Sequence, residues 1–405
     1  MLSSLFGYYL NSYFLSFMQI TPSGLIESKL PAVKTTIFSS MSQLAQQHQA
    51  INLGQGFPDF DCDPALIDSV HQAMLAGHNQ YPPMPGTPVL RQAIATKVNA
   101  LYHAHYDADT EITVTAGATQ AIMTSILACV HPGDEVIVIE PAYDSYIPTI
   151  QLAGGIPVLV GMRFENNRFS VDWDLLASKI SPKTRCILIN SPHNPTGMSF
   201  SKEDLASLAN ILRDTRILLI SDEVYEHMVF DGKQHHSVAS HAELAQRSFI
   251  ISSFGKTYHV TGWKVGYVLA PKLLTAEFRK VHQFNVFTVN TPMQVGIAHF
   301  MQDHRHHLQL PDFYQQKRDV FRNALANSKF KLLPCDGTYF QCVDYSAISD
   351  QTELEFATWL TTEIGVAAIP VSAFYQEQKQ NKLVRFCFAK KTETLNAALK
   401  RLQQI

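Results

Sequence analysis

The stretch ILLISDEVY, residues 217–225, joins an apolar run to two adjacent carboxylates. Similar runs recur along the chain, with helical stretches such as Thr119–Val130 and Lys202–Asp214 between them. The runs are Ile112–Thr115, Val136–Glu140, Pro157–Val160, Cys186–Asn190, Ile217–Ser221 and Phe249–Ser252. Short apolar runs separated by helices indicate buried strands. The pattern therefore predicts an α/β fold in which helices cover both faces of a mainly parallel sheet.

The pattern changes towards the C-terminus. Met293–Phe330 has a helical pattern, and two strand signals, Tyr339–Val343 and Val384–Phe388, alternate with further helices. Such a mixture is typical of an α+β domain. We predict a large domain over residues 50–296 and a smaller α+β domain formed by residues 18–49 and 297–405.

The first 17 residues, MLSSLFGYYLNSYFLSF, carry no charge. They lack the basic start and the small-residue cleavage site of a signal peptide. An ordinary globular pattern begins directly after them. We therefore expect Met18 to be the native start and residues 1–17 to be a non-native or disordered extension.

The composition excludes several classes of protein. Of the 405 residues 46% are hydrophobic and 17% are charged, which is not the balance of a disordered chain. The net charge of −3 gives no dominant field, so we expect no nucleic-acid partner. No uncharged apolar run reaches the roughly 18 residues of a membrane span. The six cysteines are scattered without a C-x-x-C pair, which predicts reduced thiols and a cytoplasmic protein.

Side chains that follow the strands are the candidates for function, because open α/β sheets bind ligands at the carboxyl ends of their strands. After the first strand, Gly117, Ala118 and Thr119 open a helix whose free N–H groups can bind an anion. A simple capped helix explains the same residues. After the second strand comes Tyr143, whose ring can stack on a planar ligand or pack within its loop.

Two further loops carry polar groups. Asn194 lies in SPHNPTG, residues 191–197, where two prolines hold the turn rigid and leave the amide free for a ligand. Asp222 directly follows the apolar run Ile217–Ser221, and Tyr225 lies three residues further on. A carboxylate buried at the end of a strand is unfavourable unless it has a partner, which a ligand can supply. The alternative is that Asp222 is an ordinary loop aspartate without a functional role.

Lys256 follows the last run, in SFGKT, residues 253–257. Its GKT resembles the end of the NTPase phosphate loop, G-x-x-x-x-G-K-[ST], which opens a helix. Ile250 stands where that loop needs its first glycine, and the residues after Lys256 have the pattern of a turn and a strand. We therefore reject the NTPase interpretation.

Arg385 lies inside the apolar strand VRFCF, residues 384–388. A buried guanidinium requires an anionic partner. A substrate carboxylate bound bidentately and a structural ion pair both satisfy this requirement, and the sequence leaves both open.

Two groups of histidines receive no catalytic assignment. His304, His306 and His307 lie in a polar helical stretch, which predicts a solvated face rather than a metal site. His235 and His236 follow an Asp-Gly pair and are expected in an exposed turn. We predict no metal.

The order of the motifs resembles that of the class I/II aminotransferases, the fold-type I enzymes that use pyridoxal 5′-phosphate (PLP). The resemblance covers about residues 25–405 and rests on GAT, NPTG, DEVYE, SFGKT, GWKVG and VRF. The segments LGQGFPDF, NQYPPMPG, DEVYEHM and SSFGKTYHVTGWKVGY are similar to the branch of bacterial methionine aminotransferases and kynurenine/glutamine transaminases. The resemblance implies a mainly parallel seven-stranded sheet, a smaller α+β domain and PLP as cofactor.

The resemblance also implies roles for single residues. Lys256 holds PLP as a Schiff base, and its freed amine moves the proton from the substrate's Cα. Asp222 pairs with the pyridine nitrogen and favours its charged form. Tyr225 and Asn194 bond to the 3′-oxygen of the ring, and Tyr143 stacks on its face. The implied phosphate site consists of Gly117, Ala118, Thr119, Ser253 and Lys264.

The substrate site follows from the same resemblance. Arg385 binds the α-carboxylate, with Asn194 and the Gly56 backbone nearby. Tyr81 reaches the phosphate of the partner subunit's cofactor, which implies a homodimer. The substrates are an amino acid and a 2-oxo acid, used by a ping-pong mechanism.

Methionine, aromatic and related amino acids are the implied donors. No second arginine is identifiable as a partner for a side-chain carboxylate, so an aspartate-specific enzyme is not expected. A PLP-dependent β-lyase that cleaves cysteine S-conjugates shares the early steps and stays open as an alternative. A non-catalytic PLP-binding regulator is the remote alternative, because too few residues precede the match to form its DNA-binding domain.

Overall fold

The computed structural model describes residues 27–405. The predicted extension over residues 1–17 lies outside the described residues, as do residues 18–26 of the predicted small domain. The chain divides into two units after Lys34. In the first unit, the Val33 N–H donates to the Leu30 carbonyl at 3.1 Å, which closes a turn. All helices and strands given below lie in the second unit.

The strands belong to four sheets. They are β1 Ile51–Asn52, β2 Ile112–Thr115, β3 Glu135–Glu140, β4 Ile156–Gly161, β5 Arg163–Glu165, β6 Arg168–Ser170, β7 Thr184–Asn190, β8 Leu218–Asp222, β9 Ser248–Ser253, β10 Gly266–Leu269, β11 Lys331–Leu332, β12 Phe340–Asp344, β13 Val366–Ala367, β14 Ile369–Pro370 and β15 Leu383–Cys387.

The α-helices separate and cover these strands. They are α1 Ile37–Gln47, α2 Pro64–Leu75, α3 Pro88–Tyr102, α4 Ala118–Cys129, α5 Tyr146–Leu152, α6 Trp173–Ser178, α7 Lys202–Leu212, α8 Ala242–Ala245, α9 Phe254–Thr257, α10 Lys272–Asn285, α11 Thr291–Phe300, α12 Arg305–Leu308, α13 Leu310–Leu325, α14 Glu353–Trp359 and α15 Thr392–Leu402. Short 3₁₀ segments span Val238–Ser240, Thr261–Trp263 and Val371–Phe374, and a π-helical turn spans Leu360–Ile364.

The central sheet has seven strands in the order β2-β10-β9-β8-β7-β3-β4. Neighbouring strands are parallel except where β10 pairs antiparallel with β2 and β9. The strands β7, β8 and β9 are buried along nearly their whole length, which is why their sequences are apolar runs without alternation. The predicted α/β fold and its mainly parallel sheet are confirmed.

The later part of the chain builds a second, antiparallel sheet in the order β11-β12-β15-β14. The strands β12 and β15 match the predicted strands, and both are almost entirely buried. The division into a large and a small domain stays a prediction. Within the described residues, no helix is long and apolar enough to cross a membrane.

The parallel register brings the functional loops together. Asn190 at the end of β7 pairs with Asp222 at the end of β8. The strand β9 ends at Ser253, and the short helix α9, which carries Lys256, begins at the next residue. The loops that follow these three strands therefore meet at one edge of the sheet.

Candidate active site

A cavity of about 170 Å³ lies at this edge of the sheet. Most of the residues predicted to bind a cofactor line it: Gly117, Ala118, Thr119, Tyr143, Asn194, Asp222, Tyr225, Ser253, Lys256 and Lys264. The sequence analysis missed five further lining residues, which are Ile122, Tyr146, Asn190, Val224 and Thr261. Residues far apart in the chain thus form one concave, partly polar site, as ligand sites commonly are.

Asp222 is a buried carboxylate whose hydrogen-bond partners are neutral. Its Oδ2 accepts from the Tyr146 hydroxyl at 2.6 Å, and its Oδ1 accepts from the Val224 N–H at 3.2 Å. Burial raises the pKa of Asp222 to about 6, although both hydrogen bonds oppose the rise. A buried carboxylate that has only neutral hydrogen-bond partners is stabilised by a positively charged group of a ligand.

Lys256 is partly buried, and its amine is bonded to neutral oxygens. Its Nζ donates to the Gly56 carbonyl at 3.0 Å and to the Tyr339 hydroxyl at 2.7 Å. Burial lowers the pKa of Lys256 to about 8, and the positive charges of Arg385 and Lys264 act in the same direction. An amine with a lowered pKa is available as a nucleophile or base near neutral pH.

The N-terminus of α4 forms one end of the cavity. Gly117 precedes this helix with φ of 79°, a left-handed conformation that favours glycine. A Cβ added to Gly117 would lie 3.4 Å from the Lys264 Nζ, so the ammonium group lies close over the turn. Free helix N–H groups and a nearby lysine together suit a phosphate.

Arg385 is almost fully buried in β15. Its Nη1 donates to the Asn194 side-chain oxygen at 2.6 Å, and its Nη2 donates to the Gly54 carbonyl at 3.0 Å. Its Nε is buried without a hydrogen-bond partner. Both oxygens are neutral, so the guanidinium retains its attraction for an anion such as a carboxylate.

Asn190 couples the two loops that hold Asn194 and Asp222. Its side-chain nitrogen donates to the Asp222 carbonyl at 2.9 Å, and its side-chain oxygen accepts from the Asn194 N–H at 2.8 Å. A polar side chain at the end of a predicted apolar strand was the available signal for this residue. The sequence alone did not reveal which loops it joins.

The two predicted ring-binding tyrosines pack against other aromatic rings. The Tyr143 ring meets the Tyr146 ring edge-on, with centroids 5.7 Å apart. The Tyr225 ring meets the Tyr339 ring edge-on at 5.2 Å. Burial raises the pKa of both Tyr143 and Tyr225, so their hydroxyls stay protonated. The roles assigned to them stay predictions.

Tyr81 lies apart from the cavity, and 81% of it is exposed. Its ring meets that of Phe287 edge-on at 5.3 Å. Phe284, on α10, is 90% exposed. Contiguous exposed apolar patches, rather than single exposed rings, often mark a surface that another protein covers.

The expectation for the histidines is wrong at two positions. His307 is only 1% exposed, and burial lowers its pKa to about 4. The His235 side chain is 5% exposed and lies 2.9 Å from a Glu223 carboxylate oxygen. The His307 ring packs against His227 at 5.0 Å and the His235 ring against Tyr102 at 5.9 Å, contacts that a polar sequence pattern does not reveal. Within the described residues, no three histidine, cysteine or acidic side chains are placed to hold a metal ion.

The site fits PLP. A protonated ring nitrogen would stabilise the Asp222 carboxylate, whose pKa burial raises to about 6. The turn at Gly117, with Lys264 above it, suits the phosphate. Lys256 supplies an amine with a lowered pKa for the aldehyde.

Comparisons with known proteins agree with this assignment. The family Aminotransferase class I and II matches residues 48–402. The methionine aminotransferase of Escherichia coli strain K12 is 51% identical over 380 residues, which cover 94% of this chain and 98% of the relative. The mouse kynurenine–oxoglutarate transaminase 1 is 35% identical over 92% of this chain and 96% of its own.

A solved structure shows the same fold. The crystal structure of an E. coli protein with a methionine aminotransferase function superimposes with a TM-score of 0.92 at 51% identity. The match covers 94% of this chain and 99% of that chain. The chain therefore belongs to the class I and II aminotransferase family, and it is a PLP-dependent aminotransferase of fold type I.

Proposed function

We propose that this aminotransferase uses methionine and related apolar or aromatic amino acids as donors. The observation that carries the proposal is the 51% identity with the E. coli methionine aminotransferase, which extends over 94% of the chain.

Aromatic rings surround the guanidinium that is proposed to bind the donor's carboxylate. The Arg385 Cζ lies 3.8 Å from the ring centroid of Phe340, 5.0 Å from that of Phe374 and 5.4 Å from that of Phe38. Sulfur–aromatic contacts favour a thioether side chain beside such rings. An aromatic donor gains ring–ring contacts in the same place.

The charges of the cavity do not suit an acidic donor. Lys256 and Lys264 are its positively charged lining residues in the described structure. Lys256 is assigned to the reaction and Lys264 to the phosphate, so a side-chain carboxylate would be desolvated without a partner. Burial of an unpaired charge is strongly unfavourable.

The proposed roles follow from the placement of each group. When bound, PLP accepts the amino group of the donor, withdraws electrons from its Cα and passes the amino group to the 2-oxo acid. The freed Lys256 amine takes the proton from the donor's Cα as general base. Asp222 holds the ring nitrogen in its protonated form, and Arg385 fixes the donor's carboxylate.

The remaining cofactor-binding roles are also proposals. Tyr225 and Asn194 bond to the 3′-oxygen of the ring, and Tyr143 covers its face. The phosphate is bound at the α4 N-terminus by residues that line one end of the cavity, namely Gly117, Ala118, Thr119, Ser253 and Lys264.

A panel of donors tests the proposed specificity. We expect kcat/KM for methionine, measured with one fixed 2-oxo acid acceptor, to exceed that for aspartate by about 100-fold or more, because an unpaired buried carboxylate costs several kcal/mol. Phenylalanine should lie near methionine, since apolar pockets discriminate weakly among such side chains. A preference for aspartate would contradict the proposal.

The β-lyase alternative is not favoured, because the relatives named above are transaminases. Its test is separate from the donor panel. Pyruvate formed from a cysteine S-conjugate without any 2-oxo acid, at a rate comparable with methionine transamination, would revive it.

We further propose that the enzyme works as a homodimer in which Tyr81 serves the partner's site. The proposal is supported by the exposed aromatic group of Tyr81, Phe284 and Phe287. A second copy would cover these rings and bring the Tyr81 hydroxyl to the partner's phosphate. Sedimentation of the free enzyme should therefore give twice the mass of one chain.

Mixing two inactive variants tests the shared site directly. Dimers that combine a Tyr81→Ala chain with a Lys256→Ala chain contain one site with neither substitution. We expect activity to reappear on mixing, whereas each variant alone should be strongly impaired. No recovery in a mixture shown to contain heterodimers would contradict the proposal.

A cytoplasmic location is proposed from the cysteines. All six are free, and five of them are buried. Free thiols are typical of chains that remain in a reducing compartment. Fractionation of the native cells tests this location.

A further inference from the structure

A tyrosine that the sequence analysis did not single out lies against Lys256. Tyr339 is fully buried and directly precedes β12. Its hydroxyl donates to the Gly56 carbonyl at 2.6 Å and accepts from the Lys256 Nζ at 2.7 Å. Because Lys256 also donates to the Gly56 carbonyl, the three groups form a closed triangle of hydrogen bonds.

The ring of Tyr339 is held in place from several sides. Its centroid lies 4.9 Å from that of Phe340, 5.2 Å from that of Tyr225 and 5.7 Å from that of Tyr314. Its carbonyl accepts from the Phe388 N–H at 3.0 Å. The hydroxyl therefore cannot turn away from Lys256 without disturbing a packed core.

The hydroxyl of Tyr339 has one proton, and the Gly56 carbonyl accepts it. Burial raises the pKa of Tyr339 well above its usual value, so this proton is retained. Towards Lys256 the phenol oxygen can then act only as an acceptor. A neutral amine has two N–H groups and one lone pair. With Tyr339 and Gly56 accepting both N–H groups, the lone pair of Lys256 stays free.

We propose that Tyr339 is a positioning residue that holds the freed Lys256 amine with its lone pair available for the donor's Cα proton. The proposal rests on the proposed function, because only there does Lys256 act as the base. In the step, the proton passes from Cα to Nζ, and the electron pair of the broken C–H bond is withdrawn towards the bound cofactor. The resulting ammonium keeps both hydrogen bonds and gains no new partner.

Other charged and titratable groups also face Lys256. Besides burial, its pKa responds to Cys387, Arg385, Asp222 and Lys264. None of them donates to or accepts from the Lys256 Nζ in the described structure, where the partners of this atom are Gly56 and Tyr339. A hydrogen-bond acceptor favours the charged form of an amine, so loss of the phenol oxygen should lower the pKa of Lys256 further.

The test compares two substitutions that each remove one buried hydroxyl. Tyr339→Phe removes the acceptor. Tyr314→Phe is the control, because Tyr314 is equally buried and its hydroxyl bonds to the His259 Nδ1 at 3.0 Å. In the full-length chain freed of cofactor, labelling of Lys256 by acetic anhydride is followed against pH by mass spectrometry. In the loaded enzyme, transamination of methionine and of Cα-deuterated methionine is compared.

Tyr339→Phe should move the midpoint of Lys256 labelling to a pH lower by about half a unit, the size expected for one neutral hydrogen bond. It should reduce kcat about 10-fold with little change in KM, and it should enlarge the deuterium isotope effect. Tyr314→Phe should match the unsubstituted chain in both measurements. A phenol with a weaker acceptor oxygen, 3-fluorotyrosine at position 339, should shift the labelling midpoint in the same direction but less.

The results separate this proposal from the proposed function. A Tyr339→Phe chain with an unchanged labelling midpoint, or with an unchanged isotope effect, overturns the role of Tyr339 while an active unsubstituted enzyme upholds the function. An unsubstituted enzyme that does not transaminate methionine overturns the proposed donor instead. The labelling experiment reports on Tyr339 in either case, because it uses neither cofactor nor donor.

Discussion

Two buried carboxylates, Asp222 at the end of β8 and Glu226 in the loop that follows it, have opposite environments. Glu226 lies 2.7 Å from the Lys97 Nζ and also accepts from Ser252 and from Tyr267. Burial is the largest single effect and raises the pKa of Glu226, but Lys97, His227 and Ser252 together outweigh burial and hold this pKa well below its usual value. Asp222 has only neutral partners, and burial raises its pKa to about 6.

The two environments indicate different roles, a structural one for Glu226 and a functional one for Asp222. The charge of Glu226 is satisfied within the chain, so the Lys97–Glu226 pair ties α3 to the loop that follows β8. Asp222, Lys256 and Arg385 are bonded to neutral groups only. Buried ionisable groups without a counter-charge are costly, and they are typical of sites where a ligand supplies that charge.

Removal of the active-site lysine should have the largest effect on activity. We expect Lys256→Ala to lose about 10⁴-fold or more in kcat, because the chain loses both its link to PLP and its base. Thermal unfolding should remain cooperative, since Lys256 has no charged partner to leave unpaired. Lys272→Ala, at an exposed position of α10, is the control and should be fully active. Transamination by Lys256→Ala at the unsubstituted rate would contradict the assignment.

Substitution of the buried Lys97 should affect the stability of the fold. Lys97→Met leaves the Glu226 carboxylate buried without its ion partner, which should lower the free energy of unfolding by about 3–5 kcal/mol. The double substitution with Glu226→Gln should regain much of this loss. Urea unfolding measures the free energy of unfolding of the single and of the double variant. A loss below about 1 kcal/mol in Lys97→Met would mean that the pair is no stronger than a surface salt bridge.

The smallest of these effects concerns the partner of Asp222. Tyr146→Phe removes the hydroxyl that donates to Asp222 at 2.6 Å, which should raise the pKa of Asp222 further and weaken its hold on the ring nitrogen. We expect kcat to fall about 10-fold, as for one hydrogen bond to a charged group. Tyr375→Phe, which removes a buried hydroxyl without a partner, should leave kcat unchanged. Equal rates in both variants would show that Tyr146 does not act on Asp222.

The strands of the main sheet could be predicted because buried parallel strands are apolar on both faces. The short hairpin of β5 and β6 was missed, since three-residue strands with exposed ends carry no such signal. The strands β1, β13 and β14 have two residues each and depend on tertiary pairing. Short strands of this kind are specified by their neighbours rather than by their own sequence.

Ten of the residues that line the cavity could be predicted because they directly follow strands or belong to dense motifs. Tyr146, Asn190 and Tyr339 could not be found in this way, because each acts through a contact across the fold. Tyr339, for example, bonds to Gly56, which is distant in sequence. The same reason explains the wrong expectation for His307, whose polar neighbours in sequence give no sign of its burial.

The visible absorption spectrum of the purified protein, recorded before and after addition of methionine without a 2-oxo acid, tests the central claim most directly. We expect a yellow band from PLP bound to Lys256 and its conversion to the amine form of the cofactor when methionine is added. A yellow band that methionine leaves unchanged would contradict the proposed donor. A protein that shows no such band even after addition of PLP would contradict the assignment of Lys256, Asp222 and the phosphate site.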